Sequence, residues 1–450
     1  MRDMNFKFPE NFIWGAASSA YQIEDACDID GKMPTIYDHY SKVYPDIFKN
    51  AGPAGAADFY HHYREDIALM KQQGLKSFRF SICWARILSD VYSEVNPKGI
   101  AYYNDVIDCL VENDIIPFFD LYHCDMPMFV CEKGGPTNPE FVNWFLYYAK
   151  ICFEAFGDRV KFWSTVNEPM LNVYGAYAKE CNGPFGNSME DGLLASYHMM
   201  LAHYETIKLY RSMNLGGKIG AVNHYVPTYG ATDDPKDLAA ADRYREFYSG
   251  WWMEPMLLGT YPQIILDCPE VASKMPAGFA ETLKAKFQPM DFVGINYYNP
   301  GCLKYDPEGE LQYTRVPMAN LPKDDYGFQR YPVGMMDALL HIKETYGDIP
   351  VFITENGIGV KPLETLEEDL NDQYRIDYLR EHIRELNRCV RAGINLQGYF
   401  VWTFLDTYEG NSGAYLYRFG MVQIVPETKQ RRPRRSFEYY KEIIRSNQVH

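Results

Sequence analysis

Eight short apolar segments, rich in β-branched and aromatic residues, constrain the fold of this chain more than any other feature. The segments are NFIWGAA (11–17), KSFRFSI (76–82), IIPFFDLY (115–122), KFWSTV (161–166), KIGAVN (218–223), DFVGINYY (291–298), PVFITE (350–355) and LQGYFVWTF (396–404). Amphipathic helical stretches separate most of them, such as 58–74, where Ile67 and Met70 share a face and Gly74 is a stop signal. Buried strands alternating with helices are typical of a covered parallel sheet. A count of eight favours a closed (β/α)8 barrel over an open doubly wound sheet.

The organisation of the chain fits one large domain. A length of 450 residues with 47% hydrophobic content admits either two or three ordinary domains or one large barrel. No charged low-complexity spacer divides the chain, and the stretch 300–333 is interpreted as a long barrel loop. The absence of G-x-G-x-x-G after the first strand weakens the dinucleotide-binding alternative. We therefore predict an α/β fold, a single (β/α)8 TIM barrel spanning residues 1–450.

Charge and composition exclude several classes of partner. The net charge of −16 argues against nucleic acid or an anionic membrane surface, because both are held through Lys and Arg contacts to phosphates. The chain shows neither an apolar h-region at its start nor a run of 18 apolar residues, which predicts a cytoplasmic protein. Its ten cysteines form no CxxC pair, so we expect reduced thiols and no metal site. The basic run KQRRPRR (429–435) is expected to be a solvated connection.

Polar side chains stand where the predicted strands end, which is where barrel enzymes carry their catalytic residues. The candidates are Gln22, Arg79, His123, Asn167, Glu168, Asn296, Tyr298, Glu355, Trp402 and Glu409. Glu168 and Glu355 follow the fourth and seventh strands, so a closed barrel brings them to facing walls of one pocket.

Two facing carboxyl groups suit the cleavage of a glycosidic bond. One must be protonated to release the leaving oxygen, and the other must be ionised to attack the sugar. Arg79 and Tyr298 would favour the ionised form of Glu355, although Arg79 is equally suited to bracing the barrel rim by pairing with a carboxylate. Amides and an imidazole supply partners for sugar hydroxyls, and Trp402 offers a flat apolar floor. The predicted partner is a small carbohydrate, with no cofactor.

Seven motifs in order carry a resemblance to a known family. FIWGAASSAYQIE, FRFSICWARI, LYHCDMP, STVNEP, GINYYNP, FITENG and GYFVWTFLDTYE resemble those of glycoside hydrolase family 1, the retaining β-glucosidases, from about residue 6 to the carboxyl terminus. The resemblance implies that Glu168 is the acid/base and Glu355 the nucleophile. It also implies sugar ligands and supporting side chains, namely Gln22, His123, Asn167, Tyr298, Trp402 and Glu409.

The chain departs from that family pattern at three positions, one of which bears on specificity. Asp25 stands where the family commonly has Gly, and Cys124 and Gly410 stand where it commonly has Trp. We hypothesise that the missing wall at Gly410 lets the enzyme accept sugars that are substituted on O6 or otherwise bulkier.

Two alternatives to a plain β-glucosidase stay open. A 6-phospho-β-glucosidase also resembles this chain, but Glu409 would repel a phosphate, and Tyr417 and Phe419 occupy the places of the expected Lys and Tyr. This alternative stays open because some phospho-glucosidases also lack the Trp that Gly410 replaces. A sugar-binding protein without catalysis is the alternative of another class. The sequence leaves the aglycone, the choice among glucose, galactose and fucose, and the oligomeric state open.

Overall fold

Eight parallel strands close into one barrel in the computed structural model, which describes residues 7–45, 52–178, 188–409 and 413–449. Around the barrel the strands follow the order β1-β8-β7-β6-β5-β4-β3-β2, so each strand neighbours those next to it in the chain. The predicted (β/α)8 fold is confirmed. The strands are β1 (Ile13–Ala17), β2 (Ser77–Ser81), β3 (Ile116–Asp120), β4 (Phe162–Asn167), β5 (Lys218–His224), β6 (Phe292–Asn296), β7 (Val351–Asn356) and β8 (Leu396–Trp402).

One numbered helix follows each barrel strand along the chain. These helices are α1 (Phe59–Gln73), α2 (Pro97–Glu112), α3 (Phe141–Phe156), α4 (Met189–Met213), α5 (Phe279–Lys286), α6 (Val333–Tyr346), α7 (Gln373–Arg391) and α8 (Arg435–Ser446). Local chemistry sets several helix ends. Asn96 caps α2 by accepting a hydrogen bond from the Lys98 amide. Gly74 ends α1 with φ +84°, a left-handed conformation that suits glycine.

Shorter elements occupy the connections. Short helices cover Ala20–Ile23, Ile36–Val43, Trp84–Ile87, Met128–Cys131, Pro235–Arg245, Trp251–Leu258, Gln263–Leu266, Val271–Lys274 and Leu366–Asn371. Two segments are π-helical, Met170–Ala178 and Glu246–Gly250. Among the described residues, no helix has both the length and the apolar character needed to cross a bilayer.

Phenylalanine rings fill the barrel interior, so the barrel is a packed core and not a pore. Phe118, Phe292, Phe352 and Phe400 project inward from β3, β6, β7 and β8, with ring centroids 5.3 to 6.2 Å apart. A ligand of any size must therefore bind above this layer, at the carboxyl ends of the strands.

The stretch 300–333 holds more regular structure than the predicted long loop. Strands Gly301–Tyr305 and Tyr313–Val316 pair antiparallel, and Thr228–Gly230 adds a third strand outside the barrel. Backbone groups on so long an excursion need hydrogen-bond partners, and this small sheet supplies them.

The prediction of a solvated connection at 429–435 is wrong. Strand Arg431–Pro433 pairs antiparallel with Val422–Ile424. Arg431 is 7% exposed and binds Asp66, and Arg434 is 1% exposed and bridges Asp369 and Asp406. These two side chains can be buried because each forms an ion pair with a buried carboxylate. The carboxylates are distant in sequence, so the charges within 429–435 alone do not reveal them.

Candidate active site

A cavity of about 190 Å³ opens at the carboxyl ends of the strands, where the sequence predicted the site. Seven of the ten candidate residues line it: Gln22, His123, Glu168, Tyr298, Glu355, Trp402 and Glu409. The other three, Arg79, Asn167 and Asn296, are buried immediately behind this wall and bond to the residues that line it. The structure thus brings all ten predicted side chains together.

Glu355 is held by two donors on opposite oxygens. It lies on β7, is 3% exposed, and accepts hydrogen bonds from Arg79 Nη1 on Oε1 and from the Tyr298 hydroxyl on Oε2, both at 2.7 Å. His123 Nε2 is a further 4.0 Å from Oε1. A carboxylate with one cationic and one neutral donor is held in a fixed orientation, and both donors oppose the effect of burial, which disfavours its charged form.

Glu168 sits in a different environment directly after β4. Its Oε1 accepts one hydrogen bond, from Asn296 Nδ2 at 2.7 Å. Thr354 in turn donates its hydroxyl hydrogen to Asn296 Oδ1 at 2.7 Å, which fixes the amide so that its NH2 group faces the carboxyl. No cation pairs with Glu168 among the described residues. A neutral amide stabilises a carboxylate less than a guanidinium does.

Arg79 organises the wall between the two glutamates. Its guanidinium is fully buried and donates to Glu355, to Asn167 Oδ1 at 2.6 Å and to Asp120, whose Oδ2 lies 2.7 Å from Nη2. The contacts that each predicted role requires are present, because one fork pairs with Asp120 at the rim and also with Glu355. Asp120, the last residue of β3, was missed by the sequence reasoning, although its place at a strand end was a usable signal.

The two glutamates differ in what opposes the effect of burial on their pKa values. Burial raises the pKa of Glu355, the Arg79 guanidinium pulls it down, and the nearby Glu168 charge raises it again. Burial also raises the pKa of Glu168, opposed by the Asn296 amide and by the more distant charge of Arg79. Burial therefore leaves the pKa of each carboxyl above its ordinary value, and the direct ion pair to Arg79 is what makes Glu355 the better candidate for the ionised member of the pair.

Glu409 is the third carboxyl group at the cavity, and it lies beside Gln22. Gln22 Nε2 donates to the Tyr408 carbonyl at 2.9 Å and lies 3.3 Å from Glu409 Oε1, which also accepts from the Thr407 hydroxyl at 2.7 Å. Burial raises the pKa of Glu409 to about 7, with the Thr407 hydrogen bond opposing this rise. The adjoining Gly410, where the sequence departs from the family pattern, lies outside the described residues.

His123 and Trp402 form the remaining predicted wall. Their rings stack with centroids 5.8 Å apart and planes inclined by 17°. His123 Nε2 lies 3.1 Å from Asn167 Nδ2, and its Nδ1 lies 3.4 Å from Asp120. The imidazole is therefore oriented from both sides, as a residue that contacts a ligand must be.

Several cavity residues were not predicted from the sequence. They are Tyr21, Tyr37, Cys124, Leu171, Asn172, His224, Tyr326 and Phe328, whereas Phe419, which also lines the cavity, stands where the family resemblance set a sugar-site residue. Of the unpredicted residues, all but His224, which ends β5, lie in the connections between barrel strands, whose course a strand pattern does not determine. Cys124 was noted as a departure from the family pattern, but no signal placed it at the cavity. In the described part of the chain, no group of three or more His, Cys, Asp or Glu side chains is arranged to hold a metal ion.

Comparisons with known proteins all indicate the same family. Residues 4–449 match the family model described as glycosyl hydrolase family 1. A 6-phospho-beta-glucosidase of Bacillus subtilis is 35% identical, with 97% of each chain covered. Beta-glucosidase A of Acetivibrio thermocellus is 34% identical, with 98% of each covered. The solved family 1 β-glucosidase from Thermotoga maritima superposes with a TM-score of 0.94 at 33% identity and 99% coverage of both chains.

Proposed function

Because the chain belongs to glycosyl hydrolase family 1 and is therefore a retaining glycoside hydrolase, we propose that it releases terminal β-D-glucose from small glycosides. Glu168 is the acid/base of this proposal and Glu355 is the nucleophile. The observation that supports it best is the unequal support of two buried carboxyls at one cavity. Glu355 has an ion pair and a phenol, whereas Glu168 has an amide.

The first step forms a covalent sugar ester. A Glu355 oxygen attacks the anomeric carbon while the bond from that carbon to the leaving oxygen breaks, and the Glu168 proton passes to the leaving group. Arg79 and Tyr298 hold the attacking carboxylate in place. In the second step the Glu355 charge has been consumed, so the pKa of Glu168 falls and it takes a proton from water. That water displaces Glu355 and restores the β configuration at the anomeric carbon.

The glucose ring would sit on Trp402 and be held by hydroxyl contacts on one side of the cavity. Gln22, His123, Asn167 and Glu409 are the proposed ligands, and Asn296 orients Glu168. A buried site of this kind discriminates through polar groups that are left unpaired when a hydroxyl is missing or inverted.

A 6-phospho-β-glucosidase is the second candidate, favoured by the Bacillus subtilis relative with that name. The charge of the cavity opposes it. Three of the residues lining the described cavity are glutamates and none is Lys or Arg, and residues 410–412 are Gly, Asn and Ser. An ionised Glu409 would repel a phosphate, since like charges in contact cost several kcal/mol.

The experiment compares a 4-nitrophenyl β-D-glucoside with its 6-phosphate. We expect turnover of the glucoside, with kcat/KM at least about a hundredfold above that of the phosphate. Glu355→Gln should abolish turnover, whereas Glu364→Gln at an exposed position should leave it unchanged. Proton NMR should show the β anomer released first. A folded protein that binds glucose without turnover would support the non-catalytic alternative, and preference for the phosphate would support the second candidate.

We also propose that residues 1–450 act as one catalytic domain in the cytoplasm. The nine described cysteines are all free thiols, which suits a reducing compartment. Fractionation of source cells, with activity measured in each fraction, tests the location.

A further inference from the structure

Glu168 holds an unusual backbone conformation at the end of β4. Its φ is +46°, in the left-handed region that residues other than glycine rarely adopt. After Pro169 the π-helical segment Met170–Ala178 begins, and π-helical turns are frequent at functional sites. Such a conformation persists only where neighbouring groups enforce it.

Asn172 is the side chain that bonds to the backbone around Glu168, whose own N–H donates to the Val222 carbonyl at 2.9 Å. Its Nδ2 donates to the carbonyl oxygens of Asn167 at 2.9 Å and of Glu168 at 3.1 Å. The peptide groups on the two sides of the Glu168 Cα are therefore both tied to the Asn172 side-chain amide. The Leu171 backbone N–H adds a bond to the Glu168 carbonyl at 3.0 Å. Asn172 is 7% exposed and also lines the cavity.

The hydrogen bonds from Asn172 to the backbone matter because the Glu168 side chain itself has few contacts. Its carboxyl has one described hydrogen bond, to Asn296, whereas Glu355 has two strong donors. A group that must give up a proton and later take one back cannot be clamped by a cation without losing that pKa range. Its position must then be set largely through its backbone.

We propose that Asn172 is a positioning residue for proton transfer by Glu168. It acts through the backbone and needs no contact with the sugar. The inference rests on the proposed function, because it assumes that Glu168 is the acid/base. It predicts that loss of Asn172 harms those steps that need Glu168 and spares those that do not.

The test uses Asn172→Ala with glucosides of differing leaving groups. A phenyl glucoside needs a proton on departure, whereas a 2,4-dinitrophenyl glucoside leaves unaided. We expect kcat/KM to fall about tenfold or more for the phenyl glucoside and less than about twofold for the dinitrophenyl glucoside, within the range that acid catalysis supplies. For the dinitrophenyl glucoside, kcat should fall, because hydrolysis of the sugar ester by water needs Glu168 as the base and becomes the slow step.

Azide provides a readout that a purely structural defect would not move. Azide attacks the anomeric carbon of the sugar ester, the bond to Glu355 breaks, and glucosyl azide forms without a base. We expect azide to raise kcat of Asn172→Ala on the dinitrophenyl glucoside several-fold, with glucosyl azide as product. Rates are expressed per active site, counted by trapping Glu355 with a 2-deoxy-2-fluoroglucosyl fluoride, so partial misfolding does not distort them.

Two further variants complete the design. Asn172→Asp keeps the shape but loses the donors, and should behave like Asn172→Ala. Val173→Ala empties a buried position of the same π-helical segment, so it should lower stability without a leaving-group effect or azide rescue. Equal losses on both glucosides per active site, or no azide effect in either Asn172 variant, would overturn the inference. Absence of turnover in the unaltered enzyme would instead overturn the proposed function.

Discussion

Arg79 and Glu355 form an ion pair of 2.7 Å in which the arginine is fully buried and the carboxyl is 5% exposed. Taking both charges out of water is costly, and the cost is offset only because every arm of the guanidinium has a partner. Asp120 and Asn167 supply those partners. The pair therefore joins the stability of the barrel rim to the charge state of the proposed nucleophile.

Replacement of Arg79 by Lys should shift the pH dependence of the reaction. Lysine keeps one charge but cannot reach three partners with a planar fork, so Glu355 loses part of its stabilisation as an anion. The pKa of Glu355 should rise, and the acid-side limb of kcat/KM should move to higher pH. The measurement is a pH profile for a nitrophenyl glucoside. Arg64→Lys, in an exposed ion pair with Asp105 at 3.7 Å, is the matched control and should leave the limb in place.

Replacement of Tyr298 by Phe should slow catalysis without unfolding the protein. The ring would keep its packing against Phe328, 5.3 Å away, while Glu355 Oε2 loses its donor. A hydrogen bond to a charged group contributes about 1.5–3 kcal/mol, so we expect kcat to fall by about ten- to a hundredfold. Tyr297→Phe, whose hydroxyl bonds to the Tyr331 carbonyl outside the cavity, is the control. An unchanged kcat in Tyr298→Phe would remove this residue from the machinery.

The strands were predictable because each is buried and reads as a continuous apolar run. The predicted run 76–82, for example, contains β2, Ser77–Ser81. The position of the cavity was predictable as well, since polar residues at the ends of such runs converge in a closed barrel. The features that were not predicted depend on contacts between residues that are distant in sequence. Nothing local marks Asn172 as a partner of two carbonyls.

Loop residues escaped prediction for a related reason. Phe328 reaches the cavity because the Asp324 carboxylate accepts its N–H at 2.8 Å and also binds the Gly359 N–H at 3.2 Å. A loop course set by one carboxylate has no periodic signature. The same holds for Arg434, whose burial depends on Asp369 and Asp406 from two other segments.

Glu409 should make the folded protein less stable as pH rises. Its pKa in the folded state is about 7, above the ordinary value of 4.5, so the folded state binds the proton more tightly than the unfolded chain. The stability from this group is present below about pH 4.5 and is lost as pH rises to about 7. Between about pH 5 and about pH 8, Glu409→Gln should therefore lose less free energy of unfolding than the unaltered protein. Urea unfolding at both pH values measures this, and Glu427→Gln, at an exposed site, should follow the unaltered protein.

Removal of Arg434 should be strongly destabilising. Arg434→Ala leaves the buried carboxylate of Asp406 without a cation and that of Asp369 with Arg418 alone, and breaking a buried pair in this way costs about 3–5 kcal/mol. Arg435→Ala, the exposed neighbour, should change the free energy of unfolding by less than about 0.5 kcal/mol. Urea unfolding of the two variants at pH 7 gives both values. Similar small changes in both would mean that the buried network contributes little.

A tryptophan at position 410 should narrow the choice of sugar. Gly410 adjoins Glu409 in sequence, and its lack of a side chain is the departure that suggests room beside the sugar O6. We expect the enzyme to turn over a nitrophenyl 6-O-xylosyl glucoside at least as well as the plain glucoside. In Gly410→Trp the ratio of the two kcat/KM values should fall about tenfold or more, because a bulky ring excludes the substituent while its N–H gains a hydroxyl partner. Gly410→Ala is the control and should leave the ratio nearly unchanged. A preference for the plain glucoside that Gly410→Trp does not alter would show that this position does not border O6.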